Sequence, residues 1–271
     1  MDLDQEVMMQ LMNDPKHKKL PRALHFLANT VLRGPRGQFL IAYVALNRRI
    51  DDIVDHDYTP PPGVNDIEKF IEEKIAFAKN PIGPSDYIEE WLIHCNRLAA
   101  QFGENFTPET VNILEAQLFD ARRYETGKIF SGTELYEHFD QANMDGKVKA
   151  ALKVFGMDPR RNLIFRNLET ASRIHSTIRD FEEDIKKGHV NIPENVFVNS
   201  GLTREDLTDV KSKAVKRWIK GQAYYGLECI ECHHKCIVPS EKLPWPVRRV
   251  LATGYRSEIV SSLAPIILSP D

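Results

Sequence analysis

Apolar residues recur along this chain at three- and four-residue spacing, and no segment sustains strict alternation. That spacing gathers apolar side chains on one face of a helix, whereas a half-buried strand would alternate. The pattern predicts an all-α protein without a sheet. Helices are expected over 3–13, Leu20–Leu32, Pro35–His56 and Asp66–Lys79. Another runs from Tyr87 to Phe102 behind a Ser85 cap, and one starts at Thr107-Pro108-Glu109. Further helices cover Glu134–Phe155, Asp158-Pro159 to about Lys187, and a short stretch from Glu194. Thr203-x-x-Asp206 has the form of a capping box and opens a helix that carries on to the cysteines near 230. Pro244-Trp245-Pro246 opens the last, to about Leu263. Gly34-Pro35, Pro60 to Gly63, Pro81 to Pro84, Gly156 and Gly188 to Pro193 punctuate these runs.

Composition narrows the picture. The chain has 271 residues, 42% hydrophobic and 28% charged, with a formal net charge of −3. No composition shift, repeat or low-complexity stretch marks a boundary, so a single domain over 1–271 is expected. The acidic balance argues against a nucleic-acid partner. The longest apolar runs, Phe39 to Leu46 and Ala264 to Leu268, are too short to span a bilayer. The first residues, Met-Asp-Leu-Asp-Gln-Glu, lack an apolar signal core. Together these features suggest a soluble, cytoplasmic protein. Cys229, Cys232 and Cys236 suggest a zinc site at first sight. Their i, i+3, i+7 spacing fits better with a stripe of small apolar residues on one helix face.

Two acidic clusters change the picture most. Asn47 to Asp57 contains Asp51-x-x-x-Asp55, and Ser176 to Asp184 contains Asp180-x-x-x-Asp184. Residues four apart lie one turn apart on the same helix face, where like charges repel by a few tenths of a kcal/mol. Hard divalent cations would offset that repulsion, because Mg2+ takes carboxylate oxygens and leaves room for phosphate oxygens. Each pair also follows basic residues, Arg48 and Arg49 in one case and Arg179 in the other. Carboxylates for metal beside guanidinium for phosphate suit the ionisation of a diphosphate.

At these residues the chain resembles the squalene/phytoene synthase family, as a divergent member. Tyr43-Val-Ala-Leu-Asn-Arg-Arg-Ile-Asp-Asp-Ile-Val-Asp55 is similar to the family's first aspartate motif. The run from Ala171 to Phe197, with IRDFEED and KKGHVNIPENVF, is similar to the second motif and the segment after it. Ala223-Tyr-Tyr, Leu243-Pro, Arg248 and Tyr255-Arg-x-x-Ile259 extend the resemblance, which covers about residues 20 to 262.

The resemblance implies a single-domain, isoprenoid-synthase-like helical bundle around a central apolar cavity. It implies that Asp51, Asp55, Asp180 and Asp184 bind Mg2+, three ions in all, and are the catalytic carboxylates. Arg48, Arg179 and Tyr255 match positions that touch diphosphate, and Arg49, Arg173 and Arg256 are further candidates. Phe26, Tyr43, Phe119, Phe139 and Phe165 are candidates to face a carbocation.

Three departures from the family bear on the reaction. Arg22 to Phe26 carries no serine where a serine-rich segment is expected. Arg173 and Ser176 replace a glutamine and an asparagine, and His138 stands where a tyrosine is expected; these three are read as substrate-facing here. The equipment for one diphosphate is present and that for a second is altered. The first expectation is therefore a terpene synthase that ionises one prenyl diphosphate, C15 farnesyl diphosphate, and cyclises or quenches the cation. The alternatives are head-to-head condensation to a squalene- or phytoene-like product, and a noncatalytic relative that acts in binding or assembly. A greasy substrate would bring the protein to membranes transiently.

Overall fold

The computed structural model describes residues 19–209, 212–237, 248 and 256–268. The expected helix over 3–13 and the Pro244-Trp245-Pro246 helix start lie outside them. Among the described residues every regular element is helical. No helix among them is long and apolar enough to cross a membrane.

The chain divides into two compact units, Met1–Arg122 with Phe139–Asn162, and Arg123–His138 with Leu163–Asp271. In the first unit, α1 (Lys19–Phe26) passes into a π-helical turn over Leu27–Leu32. Helix α2 (Gly34–Val54) follows, then α3 (Ile67–Lys79), α4 (Tyr87–Ala100) and α5 (Thr107–Arg123). Helix α2 is the axis of this unit. Its buried positions, including Phe39, Ala42, Ala45, Leu46, Ile50 and Ile53, make one broad apolar face, and Asn47, Arg48, Asp51 and Asp52 lie on the remaining, partly exposed side. So broad an apolar face has to be covered, and α4 packs along the helix. Phe39 stacks on Tyr43 at 5.0 Å and meets Phe106 at 4.1 Å between ring centres. Burying each such side chain stabilises the unit by roughly 1.5–3 kcal/mol. Gly37 lets α2 press against the preceding turn, since a Cβ there would stand 2.1 Å from the Ala28 carbonyl oxygen.

Three boundaries differ from the sequence expectations, each for a local reason. The cap of α4 is Asp86, whose carboxylate accepts from the Ile88 and Glu89 amides; Ser85 instead donates to Glu89 through its hydroxyl and backbone N–H. The run expected over Glu134–Phe155 is α6 (Gly132–Phe139), a π-helical stretch over Asp140–Val148, and α7 (Lys149–Val154). Gly156, with φ +69°, ends it. The helix expected over 158–187 is a 3-10 turn (Pro159–Phe165), α8 (Arg166–Arg179) and α9 (Phe181–Lys186), interrupted at Asp180 (φ −98°, ψ 6°).

The second unit continues with α10 (Glu194–Ser200) and α11 (Arg204–Thr208), the latter opened by the complete Thr203–Asp206 capping box. That helix stops after five residues, and Ser212 caps a separate helix, α12 (Lys213–Cys232). Helix α13 spans Arg256–Leu268. Helices α8, α12 and α13 pack together, closely at Gly226, where a Cβ would meet Leu263 at 2.8 Å and Ile174 at 3.1 Å. A second apolar cluster joins Phe181, Val190, Ile192, Phe197, Val215 and Trp218. Of the cysteines on α12, Cys229 is buried and Cys232 exposed, and Cys236 lies outside the described side chains. Among the described side chains, the apolar stripe is therefore realised at Cys229 and not at Cys232.

Candidate functional site

Both aspartate pairs sit one helical turn apart, at the ends of helices. The Asp55 N–H donates to the Asp51 carbonyl at 2.9 Å, and the Asp184 N–H to the Asp180 carbonyl at 2.8 Å. Asp55 is the C-cap of α2. Asp180 is the joint between α8 and α9, and Asp184 lies on α9.

The two motif helices stop in the same way. After α2, the His56 N–H bonds to the Ile53 carbonyl and the Asp57 N–H to the Asp52 carbonyl. After α9, the Gly188 N–H bonds to the Ile185 carbonyl and the His189 N–H to the Asp184 carbonyl. Each is a Schellman termination, which needs a left-handed residue just past the cap. Gly188 meets that need with φ +80°, whereas His56 meets it with φ +59° against its own Cβ. Opposite effects follow from substituting the two. His56→Gly should stabilise the protein by about 1 kcal/mol. Gly188→Ala should destabilise it by about 1–3 kcal/mol, because strain is joined by a Cβ 2.9 Å from the Glu125 backbone. Urea unfolding midpoints of both variants check the pair.

In the first motif, Arg48 holds the acidic face together. Its guanidinium pairs with Asp51 at 3.0 Å and Asp52 at 2.8 Å. Burial works against the Arg48 charge, but Asp51, Asp52, Asp55 and Asp57 outweigh it and raise its pKa. Burial raises the pKa of Asp52, with Arg48 opposing. The next residue points the other way. Arg49 is 1% exposed, and its guanidinium lies under the Tyr58 ring, 3.4 Å from the ring centre. The Schellman turn brings Tyr58 there, since the Tyr58 N–H also bonds to the Asp52 carbonyl at 2.9 Å. Arg49 therefore ties the motif loop to its helix by a cation–π contact. Its place in the helical series 42, 46, 49, 53 was the signal in the sequence that it faces inward.

In the second motif, Arg179 grips Asp180 through two hydrogen bonds, at 2.9 and 2.6 Å. The Asn191 amide donates to Asp184 at 2.9 Å and accepts from Arg123 at 2.8 Å. On the first motif, the Gln117 amide of α5 donates to Asp51 at 2.9 Å. Gln117 lies outside the motif-like runs and Asn191 within the segment that follows the second, and neither was among the candidates for contact with the aspartates.

The other candidates are spread more widely. Tyr43 is in the aromatic core of the first unit, with its hydroxyl 3.2 Å from the Thr110 hydroxyl, and burial pushes its pKa up. Phe26 is 58% exposed at the end of α1, while Phe165 and His138 are buried. Arg173, on α8, lies 3.9 Å from Glu169. Ser176 accepts the Asp180 amide through its carbonyl. Arg256 bonds to Glu231 of α12. Tyr255 lies outside the described residues.

The donor set suits a hard cation, as all four motif side chains are carboxylates. Among the described residues no three His, Cys, Asp or Glu side chains gather into a metal cage. Mg2+ does not require one, since it commonly takes one or two carboxylates and completes its shell with phosphate and water oxygens. The Asp51 and Asp180 side chains are 38% and 26% exposed.

These helices define an all-α, squalene/phytoene-synthase-like fold. The likeness is to a squalene synthase, HpnC, from Alicyclobacillus acidocaldarius, with a TM-score of 0.70 and 17% identity over 97% of this chain and 92% of that one. A dehydrosqualene synthase solved in complex with a ligand is also similar, with a TM-score of 0.65 and 15% identity over 97% of this chain and 95% of the other. No protein-family model and no curated protein sequence matches the chain.

Proposed function

We propose that this protein is a metal-dependent enzyme of prenyl diphosphates that joins two of them head to head. The observation that carries this reading is the occurrence of two aspartate pairs, each one turn apart and each beside an arginine. They occur in a chain similar over nearly its whole length to a squalene synthase and a dehydrosqualene synthase. The likeness to those two neighbours supports condensation over the single-substrate terpene synthase that the altered motif residues favoured. The latter remains the second reading, supported by Arg173 and Ser176 on α8 and by the serine-free Arg22 to Phe26 stretch.

In this mechanism each pair, Asp51 with Asp55 and Asp180 with Asp184, would hold Mg2+ for prenyl diphosphate. The metal, when bound, neutralises charge that builds on the leaving diphosphate. Arg48 and Arg179 pair with these same carboxylates here, so substrate binding is an exchange of partners. With the carboxylates given over to metal, the Arg48 and Arg179 guanidiniums would be released to grip phosphate oxygens in fork geometry. The C–O bond then breaks with its electron pair leaving on the diphosphate. The allylic cation left behind has to be shielded from water until it is captured.

The test is incubation with Mg2+ and C10, C15 or C20 diphosphate, and mass analysis of the organic extract. The proposal expects a product with twice the carbon number of its substrate. A hydrocarbon or alcohol of one unit would favour the second reading, and no consumption of any substrate would refute both.

A further inference from the structure

The aspartates proposed as metal ligands are not left to orient themselves. One carboxylate of each motif is held by a side-chain amide from a different part of the chain. Gln117 of α5 donates Nε2–H to Asp51 Oδ1 at 2.9 Å. Asn191, in the segment after α9, donates Nδ2–H to Asp184 Oδ2 at 2.9 Å.

Chemistry fixes the direction of both amides. An ionised carboxylate only accepts, so the NH2 end has to face it. For Asn191 the other end is determined too, because Oδ1 accepts from Arg123 Nη1 at 2.8 Å and a guanidinium only donates. Arg123 is itself buried, so the relay Arg123–Asn191–Asp184 is anchored in the interior of the second unit. Gln117 is 7% exposed, and no donor among the described residues reaches its Oε1. Among those residues its hydrogen bond to the motif is the bond to Asp51, and a buried amide without a protein donor for its oxygen is retained at some cost. That cost has no counterpart in packing alone, for which a methionine would serve.

We propose that Gln117 and Asn191 are positioning residues that orient Asp51 and Asp184 for metal binding. This rests on the metal-dependent reading above. Groups that orient metal-ligating side chains commonly change metal affinity by 10–100-fold when removed. A ligand that must find its rotamer on binding loses ordering entropy that a held ligand has already lost.

The experiment is a titration with Mn2+ in the presence of inorganic diphosphate, followed by the EPR signal of free Mn2+, so that no turnover is needed. Wild type, Gln117→Met and Asn191→Leu are compared, with thermal unfolding recorded beside each. Both variants should bind Mn2+ about tenfold more weakly. The added test is non-additivity. Gln117→Met introduced into Asp51→Asn, and Asn191→Leu into Asp184→Asn, should change affinity no further, because the held carboxylate is already gone. Gln117→Met gives up a single hydrogen bond at near-constant volume, so it keeps the question open to measurement if Asn191→Leu fails to fold. Wild-type-like Mn2+ affinity in Gln117→Met would overturn the role of Gln117, and the same result in a folded Asn191→Leu that of Asn191. A further tenfold loss in the double variants would show that the amides act through something other than these aspartates. A wild type that binds no Mn2+ with diphosphate would overturn the metal reading itself, an outcome distinct from equal binding by wild type and variants.

Discussion

Asp51→Asn and Asp180→Asn are each expected to reduce turnover by about 10^3-fold or more while leaving helix content unchanged. The substitution preserves shape and removes one negative charge. In Asp51→Asn the ion pair with Arg48 is weakened, and in Asp180→Asn the pair with Arg179. Both pairs are partly exposed, so their contribution to stability is about 0–1 kcal/mol. What the reaction loses is larger, because a neutral amide is a poor ligand for Mg2+. Each variant should therefore separate stability from activity: unchanged ellipticity at 222 nm and a near-normal unfolding midpoint, with product formation lost. Near-normal activity in either variant would remove that aspartate from the metal ligands.

The second large effect lies away from the motifs. Lys74 is 1% exposed on α3, with its ammonium 2.5 Å from both Asp86 and Glu89. Burial raises the pKa of Glu89, but the Lys74 ammonium and two hydrogen bonds from Ser85 outweigh it, so the net shift is downward. A carboxyl with a depressed folded-state pKa contributes stability above its unfolded value, near 4.5, and loses that contribution as pH falls through the folded value. Lys74→Met should cost about 3–5 kcal/mol at pH 7, because the buried Glu89 carboxylate and the partly buried Asp86 carboxylate lose their cation. In the variant only Ser85 opposes burial, so Glu89 should take up its proton more readily in the folded state. The deficit against wild type should then shrink as pH is lowered from 7 towards 4. Urea unfolding at the two pH values checks both the size and the direction. A deficit that stays below 1 kcal/mol at pH 7 would show that the three groups are not mutually dependent.

Much of this was legible in the sequence, for reasons that can be named. Helix α2 announced itself through its apolar run and the Gly34-Pro35 start, and Pro60 to Gly63 lies beyond its end. The Thr203–Asp206 capping box formed as its spacing implied, and the all-helical class followed from the absence of alternation. The joint at Asp180 was not legible, because no proline or glycine marks it. The pause after α11 was equally hidden; Asp209 leaves the helix with φ −124° in a stretch that carries neither residue.

At the site, what could be read was the local part. The i, i+4 spacing of the aspartates and the arginines beside them are properties of one helix. Gln117 is 66 residues from the carboxylate it holds, and Asn191, although 7 residues from Asp184, lies past the end of α9, so no helical period connects either pair. The contrast between Arg48 and Arg49 was half visible. Two neighbouring arginines on a helix point about 100° apart, so only one could join the acidic face, and the buried series selects Arg49 as the one turned inward.

The most direct measurement of the central claim is release of inorganic diphosphate from C15 prenyl diphosphate by the purified protein, with Mg2+ and then with the metal chelated. Stoichiometric release in Mg2+, abolished by chelation, is the expected result. No release above the protein-free rate at any Mg2+ concentration, or release that persists after chelation, would contradict it.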